Sequence, residues 1–192
     1  MFKSILEHIM KNKFNYLIIG LGTQGKKRSK IDKKNLVGIV DPKNNKANYK
    51  YVNDVPLNKY NSAYVCVPDK EKISIIKYLL KNKKNVLTEK PLLSNEKELK
   101  NIFNLAKKNK CILYVAYNHR FEPFIIKTKQ LLKKNKIGNI YLCNIFYGNG
   151  TSLLVRKSEW KDKDKGVISD IGSHLIDLTY WFFKFKKNIK FK

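Results

Sequence analysis

Asp170, His174 and Asp177 lie four and three residues apart in the run Gly166-Val167-Ile168-Ser169-Asp170-Ile171-Gly172-Ser173-His174-Leu175-Ile176-Asp177. On a helix that spacing sets all three on one face. A carboxylate beside an imidazole orients the ring or favours its protonated form. A histidine that titrates near neutrality is suited to take the proton of an alcohol. Read without chemistry, the same residues are a helix-capping Asp170 and a satisfied core histidine. Lys90 stands between Glu89 and Pro91 at the end of a short apolar run. Pro91 fixes its own φ and holds Lys90 in an extended backbone. Such a lysine can point into the crevice where parallel-sheet enzymes bind ligands. Taken alone it is one more solvated lysine in a lysine-rich chain.

A second constellation would serve a dinucleotide. Gly20-Leu21-Gly22-Thr23-Gln24-Gly25 follows an apolar run and precedes a polar segment. In that context the first glycine permits a tight turn and the second lets the backbone approach a diphosphate. The third allows close packing of helix on strand. The diphosphate would sit on amide hydrogens at the helix start. Asp41 ends the next apolar run at a distance suited to the ribose hydroxyls of an adenosine. A carboxylate there repels a 2′-phosphate, so NAD is expected over NADP. Lys43 and Lys46 lie close by and keep NADP as the alternative.

These residues need elements to position them. Residues 1–14 carry Phe2, Ile5, Leu6, Ile9 and Met10 at helical spacing, which predicts an amphipathic helical extension. Strands are predicted at residues 15–19, 36–40, 63–67, 86–88 and 111–117, with a short one at 49–52. Helices are predicted after the glycine turn, at 71–81 and at 95–108, where Ser94 or Asn95 can cap. Between Asp41 and the strand at 63 a full crossover helix hardly fits. The alternation argues for a mostly parallel α/β sheet, a Rossmann-like dinucleotide-binding domain over residues 15–117. From residue 118 a helix at 123–132, a strand at 139–146 and a helix at 171–183 read as the beginning of a second α/β domain. One strand and two helices cannot close it, so residues 118–192 read as an incomplete substrate domain.

Composition narrows the function classes. The net charge is +26, almost wholly from lysine, with Arg28, Arg120 and Arg156 the arginines. Lys, Asn and Ile share AT-rich codons, so a strongly AT-biased genome would produce this pattern with no nucleic acid involved. The lysines are spread from end to end rather than gathered on a face beside stacking aromatics, so no specific nucleic-acid partner is expected. Hydrophobic residues make up 43%, and their runs are too short to span a membrane. The first fifteen residues lack a secretory cleavage pattern, which fits a cytoplasmic protein. Cys66, Cys111 and Cys143 have neither disulfide nor metal spacing and read as buried thiols.

Four stretches together resemble the glucose–fructose oxidoreductase/inositol dehydrogenase/rhizopine-catabolism (Gfo/Idh/MocA) family of NAD(P)-dependent oxidoreductases. They are the turn from Gly20 to Gly25, Glu89-Lys90-Pro91, Asn118-His119-Arg120-Phe121-Glu122-Pro123, and the run from Gly166 to Asp177. The resemblance implies a hydride-transfer enzyme acting on a secondary hydroxyl of a sugar or nucleotide-sugar. It places acid/base chemistry on His174 with Asp170 as partner, and puts Lys90 on cofactor and substrate hydroxyls. Cofactor contacts fall on Gly20, Gly22, Thr23, Gln24, Gly25, Asp41, Pro68, Glu89 and Lys90. Asn118, Arg156 and Asp177 become substrate-positioning candidates. The stretch from Phe146 to Thr151, with Arg156, Ser158 and Trp160, resembles members linked to bacterial surface-sugar pathways. Two departures stand out. Many members carry a histidine where this chain has Lys72, and members fill the 41–62 interval with a fuller crossover. Family substrate domains continue through a large open sheet that often forms a dimer interface, so the full-length enzyme is expected to be a homo-oligomer. This chain supplies only the beginning of that sheet. The alternative expectation is therefore a truncated, non-catalytic remnant or a cofactor-binding partner subunit.

Overall fold

The computed structural model describes residues 14–148, 166 and 168–183. The predicted helix over residues 1–14 falls outside the described residues, Phe14 apart. Two compact units divide the chain, Met1–Ala116 and Tyr117–Lys192.

The first unit is built on a five-stranded parallel sheet: β1 (Tyr16–Ile19), β2 (Leu36–Val40), β3 (Ser62–Val65), β4 (Asn85–Thr88) and β5 (Leu113–Val115), in the order β2-β1-β3-β4-β5. β1 is buried along its whole length, which is why it reads as an unbroken apolar run instead of alternating. One face of the sheet presents Leu17, Ile19, Ala63, Val65 and Val86. Against it lie Ile76, Leu79 and Leu80 of α2 (Asp69–Lys81) and Ile102 and Ala106 of α3 (Glu96–Lys108). The helix α1 (Thr23–Arg28) follows the glycine turn. α3 starts where Asn95 accepts the amide of Glu98 at 2.9 Å, while Ser94 donates to the Glu98 carboxylate at 2.8 Å.

The chain leaves β1 for β2 on one side of the sheet and comes back to β3 on the other. The switch point therefore lies between the C-terminal ends of β1 and β3, the crevice where open α/β sheets bind ligands. The strand predicted at 49–52 reduces to a single parallel bridge, Val40 to Tyr49, on the outer edge of β2. Two 3₁₀ turns, Val52–Asp54 and Leu57–Lys59, then take the place of a crossover helix. The interval is too short for more.

In the second unit a 3₁₀ turn at Asn118–Phe121 leads into α4 (Pro123–Lys133), with proline in its first turn. A π turn at Ile168–Gly172 leads into α5 (Ser173–Phe183). The strand predicted at 139–146 is absent: residues 139–140 and 142–146 have no regular structure, and Tyr141 is a bend. Its alternating pattern is strand-like, but a strand needs a ladder partner, and the described residues of this unit contain none. Tyr141, Leu142 and Phe146 are accordingly exposed. Cys143 lies on the same segment and is exposed too, against the expectation of a buried thiol, whereas Cys66 and Cys111 are partly buried. No helix among the described residues is long and apolar enough to cross a membrane.

Candidate functional site

The glycine turn is shaped by backbone contacts. Gly20 has φ +92°, and a Cβ there would stand 2.6 Å from the carbonyl oxygen of Cys66. A Cβ on Gly25 would stand 1.9 Å from the carbonyl oxygen of Gly20. Both positions exclude any side chain, the first by conformation and approach, the second by approach alone. Gly22 differs, since a Cβ there would meet no atom within 4 Å. The turn is thus closed against the protein at its two ends and open in its middle, the shape a diphosphate approaching the backbone requires. α1 has only six residues. An anion at the turn would be held by its amides more than by an extended helix dipole.

Asp41 is part of this turn. Its Oδ2 accepts the Leu21 amide at 2.7 Å and its Oδ1 the Lys43 amide at 2.8 Å. The carboxylate is therefore held at the C-terminal end of β2, beside the turn. Pro68 precedes the first residue of α2, on the β3 side of the crevice.

Glu89, Lys90 and Pro91 follow β4, and the Lys90–Pro91 peptide is cis. Two cations hold the segment. Arg28, at the end of α1, donates through Nε and Nη2 to Glu89 Oε1 at 3.0 and 2.8 Å. Lys72, in the first turn of α2, donates to the backbone carbonyls of Glu89 and Pro91 at 2.8 and 2.7 Å. Neither contact was foreseen from sequence. A signal for Lys72 was present: it sits four residues before Ile76 and seven before Leu79, on the apolar stripe of α2, where a lysine needs a buried reason. Arg28 had no comparable signal among so many neighbouring lysines. Burial, and then the charge of Glu89, pushes the nearby Cys66 thiol up to about 12, so it stays protonated.

The second unit gathers rings and charges around α5. His174 is 6% exposed. The rings of His119, Tyr117 and Tyr147 pack edge-on to it, with centroids at 4.4, 5.8 and 6.0 Å. His119 Nδ1 meets Glu122 Oε1. Asp177 does not face the histidine chemistry with a spare carboxylate; Arg120 holds both of its oxygens, Nε on Oδ2 at 2.7 Å and Nη2 on Oδ1. The Arg120 guanidinium also lies over the Trp181 ring at 4.8 Å. Burial first, and the Asp177 charge second, raises the Tyr117 phenol above its ordinary value. Asp170 falls in the π turn, whose wider winding changes its phase relative to His174 from that of a regular helix. Asn118 opens the 3₁₀ turn that also carries His119 and Arg120. Arg156, Ser158 and Trp160 lie outside the described residues.

A parallel sheet with a glycine turn after β1, an acidic residue after β2 and the binding crevice at the switch point defines a dinucleotide-binding α/β protein. Comparison with known proteins makes this specific. The model of the oxidoreductase family with NAD-binding Rossmann fold, Gfo/Idh/MocA, matches residues 14–117, and that family's C-terminal domain model matches residues 125–188. The chain belongs to the Gfo/Idh/MocA family. Over 75 residues, 36% of this chain and 21% of the relative, it is 28% identical to glucose-6-phosphate 3-dehydrogenase of Bacillus subtilis. It resembles the WlbA dehydrogenase from Bordetella pertussis, solved with NADH and UDP-GlcNAcA, with TM-score 0.73 at 17% identity, covering 90% of this chain and 60% of that one. Myo-inositol 2-dehydrogenase from Lactobacillus plantarum superposes with TM-score 0.69 at 20% identity, covering 88% and 56%. At these identities the two solved structures share the fold. The chain spans little more than half the length of either.

Proposed function

We propose that this chain binds NAD at the glycine turn and Asp41 and belongs to an oxidoreductase that acts on a secondary hydroxyl of a sugar or nucleotide-sugar. The observation that carries the reading is the turn itself: closed at Gly20 and Gly25, open at Gly22, with Asp41 bonded to the Leu21 amide. The residues present fit a dinucleotide. Gly20, Gly22, Thr23, Gln24 and Gly25 would hold the diphosphate, Asp41 the adenosine ribose, and Pro68, Glu89 and Lys90 the nicotinamide half. Bound there, the nicotinamide ring would supply hydride transfer to or from a carbon bearing a hydroxyl.

The chain's own residues would manage the proton. His174 takes the hydroxyl proton in oxidation and returns it in reduction, with Asp170 as its carboxylate partner. Lys90 hydrogen-bonds the reacting oxygen and stabilises the charge that develops on it. Asn118 and Arg156 position the substrate. Asp177, committed to Arg120, acts through the placement of α5. Two relatives support a sugar-type substrate: one is a glucose-6-phosphate 3-dehydrogenase, and another was solved with UDP-GlcNAcA.

Titration of the purified chain with NAD⁺ and NADP⁺ tests the cofactor. Saturable NAD⁺ binding is expected. Preference for NADP⁺ would overturn the role of Asp41, and binding of neither would end the proposal. A screen of sugars and sugar nucleotides by NADH absorbance follows. With a substrate in hand, His174→Ala should lower turnover by roughly 10²–10⁴-fold while leaving NAD⁺ affinity nearly unchanged.

A further inference from the structure

Lys72 is a buried charge for which cofactor binding gives no account. It is 2% exposed. Its ammonium has three acceptors: Asp69 Oδ1 at 2.7 Å, the Glu89 carbonyl at 2.8 Å and the Pro91 carbonyl at 2.7 Å. An ammonium has three donors, so the set is complete. Two of those acceptors are the carbonyls on either side of Lys90. The third, Asp69, is partly open to water. Taking a cation out of water is unfavourable unless it is paired and bonded, and an apolar side chain would fill this place on the α2 stripe without that penalty. What an apolar residue could not do is grip two backbone carbonyls.

The grip has a counterpart. Arg28 holds the Glu89 side chain while Lys72 holds the Glu89 backbone. The Glu-Lys-Pro segment is thereby fixed from α1 and α2, the helices that follow the two strands flanking the switch point. We propose that Lys72 is a positioning residue: its ammonium fixes the backbone on both sides of Lys90 and so sets where the Lys90 side chain stands. The functional meaning of that placement rests on the assignment of Lys90 to cofactor and substrate above; the placement itself does not.

Competitive acetylation of the intact 192-residue chain, mapped by mass spectrometry across a pH series, tests this without any cofactor. The readout is the rate and pH midpoint of labelling at Lys90, with exposed Lys107 and Lys133 as internal references. Lys72→Met should change the Lys90 rate by about threefold or more and move its midpoint, because amine reactivity follows local solvation and charge. Lys72→Arg, which keeps donors for the carbonyls, should restore most of the original profile. Asp69→Asn, which removes the pairing charge but leaves both carbonyl contacts, should match the unmodified chain. If circular dichroism shows Lys72→Met unfolded, Lys72→Ser, whose hydroxyl is too short to reach either carbonyl, takes its place with the same expectation. An unchanged Lys90 profile in the folded variant overturns the proposal. So does an equal change in Asp69→Asn, which would make charge rather than carbonyl contact the cause. Parallel NAD⁺ titration of the unmodified chain separates the two readings: absent binding sinks the cofactor assignment and leaves the labelling result standing.

Discussion

Arg120 and Asp177, fifty-seven residues apart in sequence, are joined side by side through two guanidinium nitrogens and both carboxylate oxygens. The Asp177 side chain is 8% exposed and that of Arg120 22%. The pair ties α5 to the 3₁₀ turn at Asn118–Phe121, the two elements that bring His174 and His119 together. Removing one partner would leave the other buried charge uncompensated. Asp177→Asn should therefore destabilise the second unit by about 2–3 kcal/mol, below the figure for fully buried pairs because Arg120 keeps some access to water. Thermal unfolding followed by circular dichroism measures it. A loss indistinguishable from that of an exposed Glu96→Gln control would remove the structural role given to this pair.

Two helix termini offer a simpler test. Lys83 and Lys110 follow the ends of α2 and α3 with φ of 57° and 55°. Left-handed backbone costs a residue with a Cβ about 1–2 kcal/mol relative to glycine. Glycine at such a position closes a helix without that strain, although it adds entropy to the unfolded chain. Lys83→Gly and Lys110→Gly are each expected to raise stability by about 0.5–1 kcal/mol. Denaturant titration gives the change, and destabilisation by either substitution would contradict it.

The parallel sheet was legible because β1, β2 and β3 are short apolar runs closed by glycine, aspartate or proline. The glycine turn was legible because backbone geometry there admits few residue types. Lys72 and Arg28 were harder, because their partners are a carbonyl pair and a carboxylate far along the chain, and no local pattern announces a long-range contact. The segment at 139–146 misled for a physical reason. Alternation reports what a strand would do with a neighbour, and Ile140, Leu142 and Phe146 have no strand beside them among the described residues. The spacing of Asp170 and Asp177 places them with His174 only on a regular helix. The π turn at Ile168–Gly172 changed the phase of the first, and Arg120 claimed the second.

Alkaline pH should loosen the first unit. Burial, and then Tyr78, pushes the Tyr60 phenol up to about 12, and burial also raises Tyr16, Tyr64 and Cys66. In each case the folded value lies above the unfolded one. The fold therefore favours the neutral form, and this stability is whole below the ordinary thiol and phenol values of about 8.5 and 10. It is lost as pH rises through the folded values toward about 12. An unfolding transition on the alkaline side is expected. The Tyr60 hydroxyl is buried with no hydrogen-bond partner among the described residues. Tyr60→Phe should leave neutral-pH stability unchanged or raise it by up to about 1 kcal/mol, and should move the alkaline midpoint upward. A lower neutral-pH stability would show that the hydroxyl has a partner that matters.

The glycines of the turn separate folding from ligand binding. At Gly25 a methyl group would stand 1.9 Å from the Gly20 carbonyl oxygen, and that oxygen is backbone. Gly25→Ala must therefore push α1 away from β1, whose fully buried Ile18 lies against it. A loss of about 2–4 kcal/mol is expected, within the range for overpacked cores and strained backbone. At Gly22 the same methyl group meets nothing within 4 Å. Gly22→Ala should leave the thermal midpoint almost unchanged, since alanine is easily accommodated at φ −70°. Its Cβ, however, would occupy the space in which a diphosphate must approach the amides. NAD⁺ affinity should then fall by about tenfold or more, equivalent to about 1.4 kcal/mol. Differential scanning calorimetry and NAD⁺ titration on the same two proteins give both readouts. Unaltered NAD⁺ binding in a stable Gly22→Ala variant would move the diphosphate away from this turn, and with it the reading of Asp41 as the ribose contact.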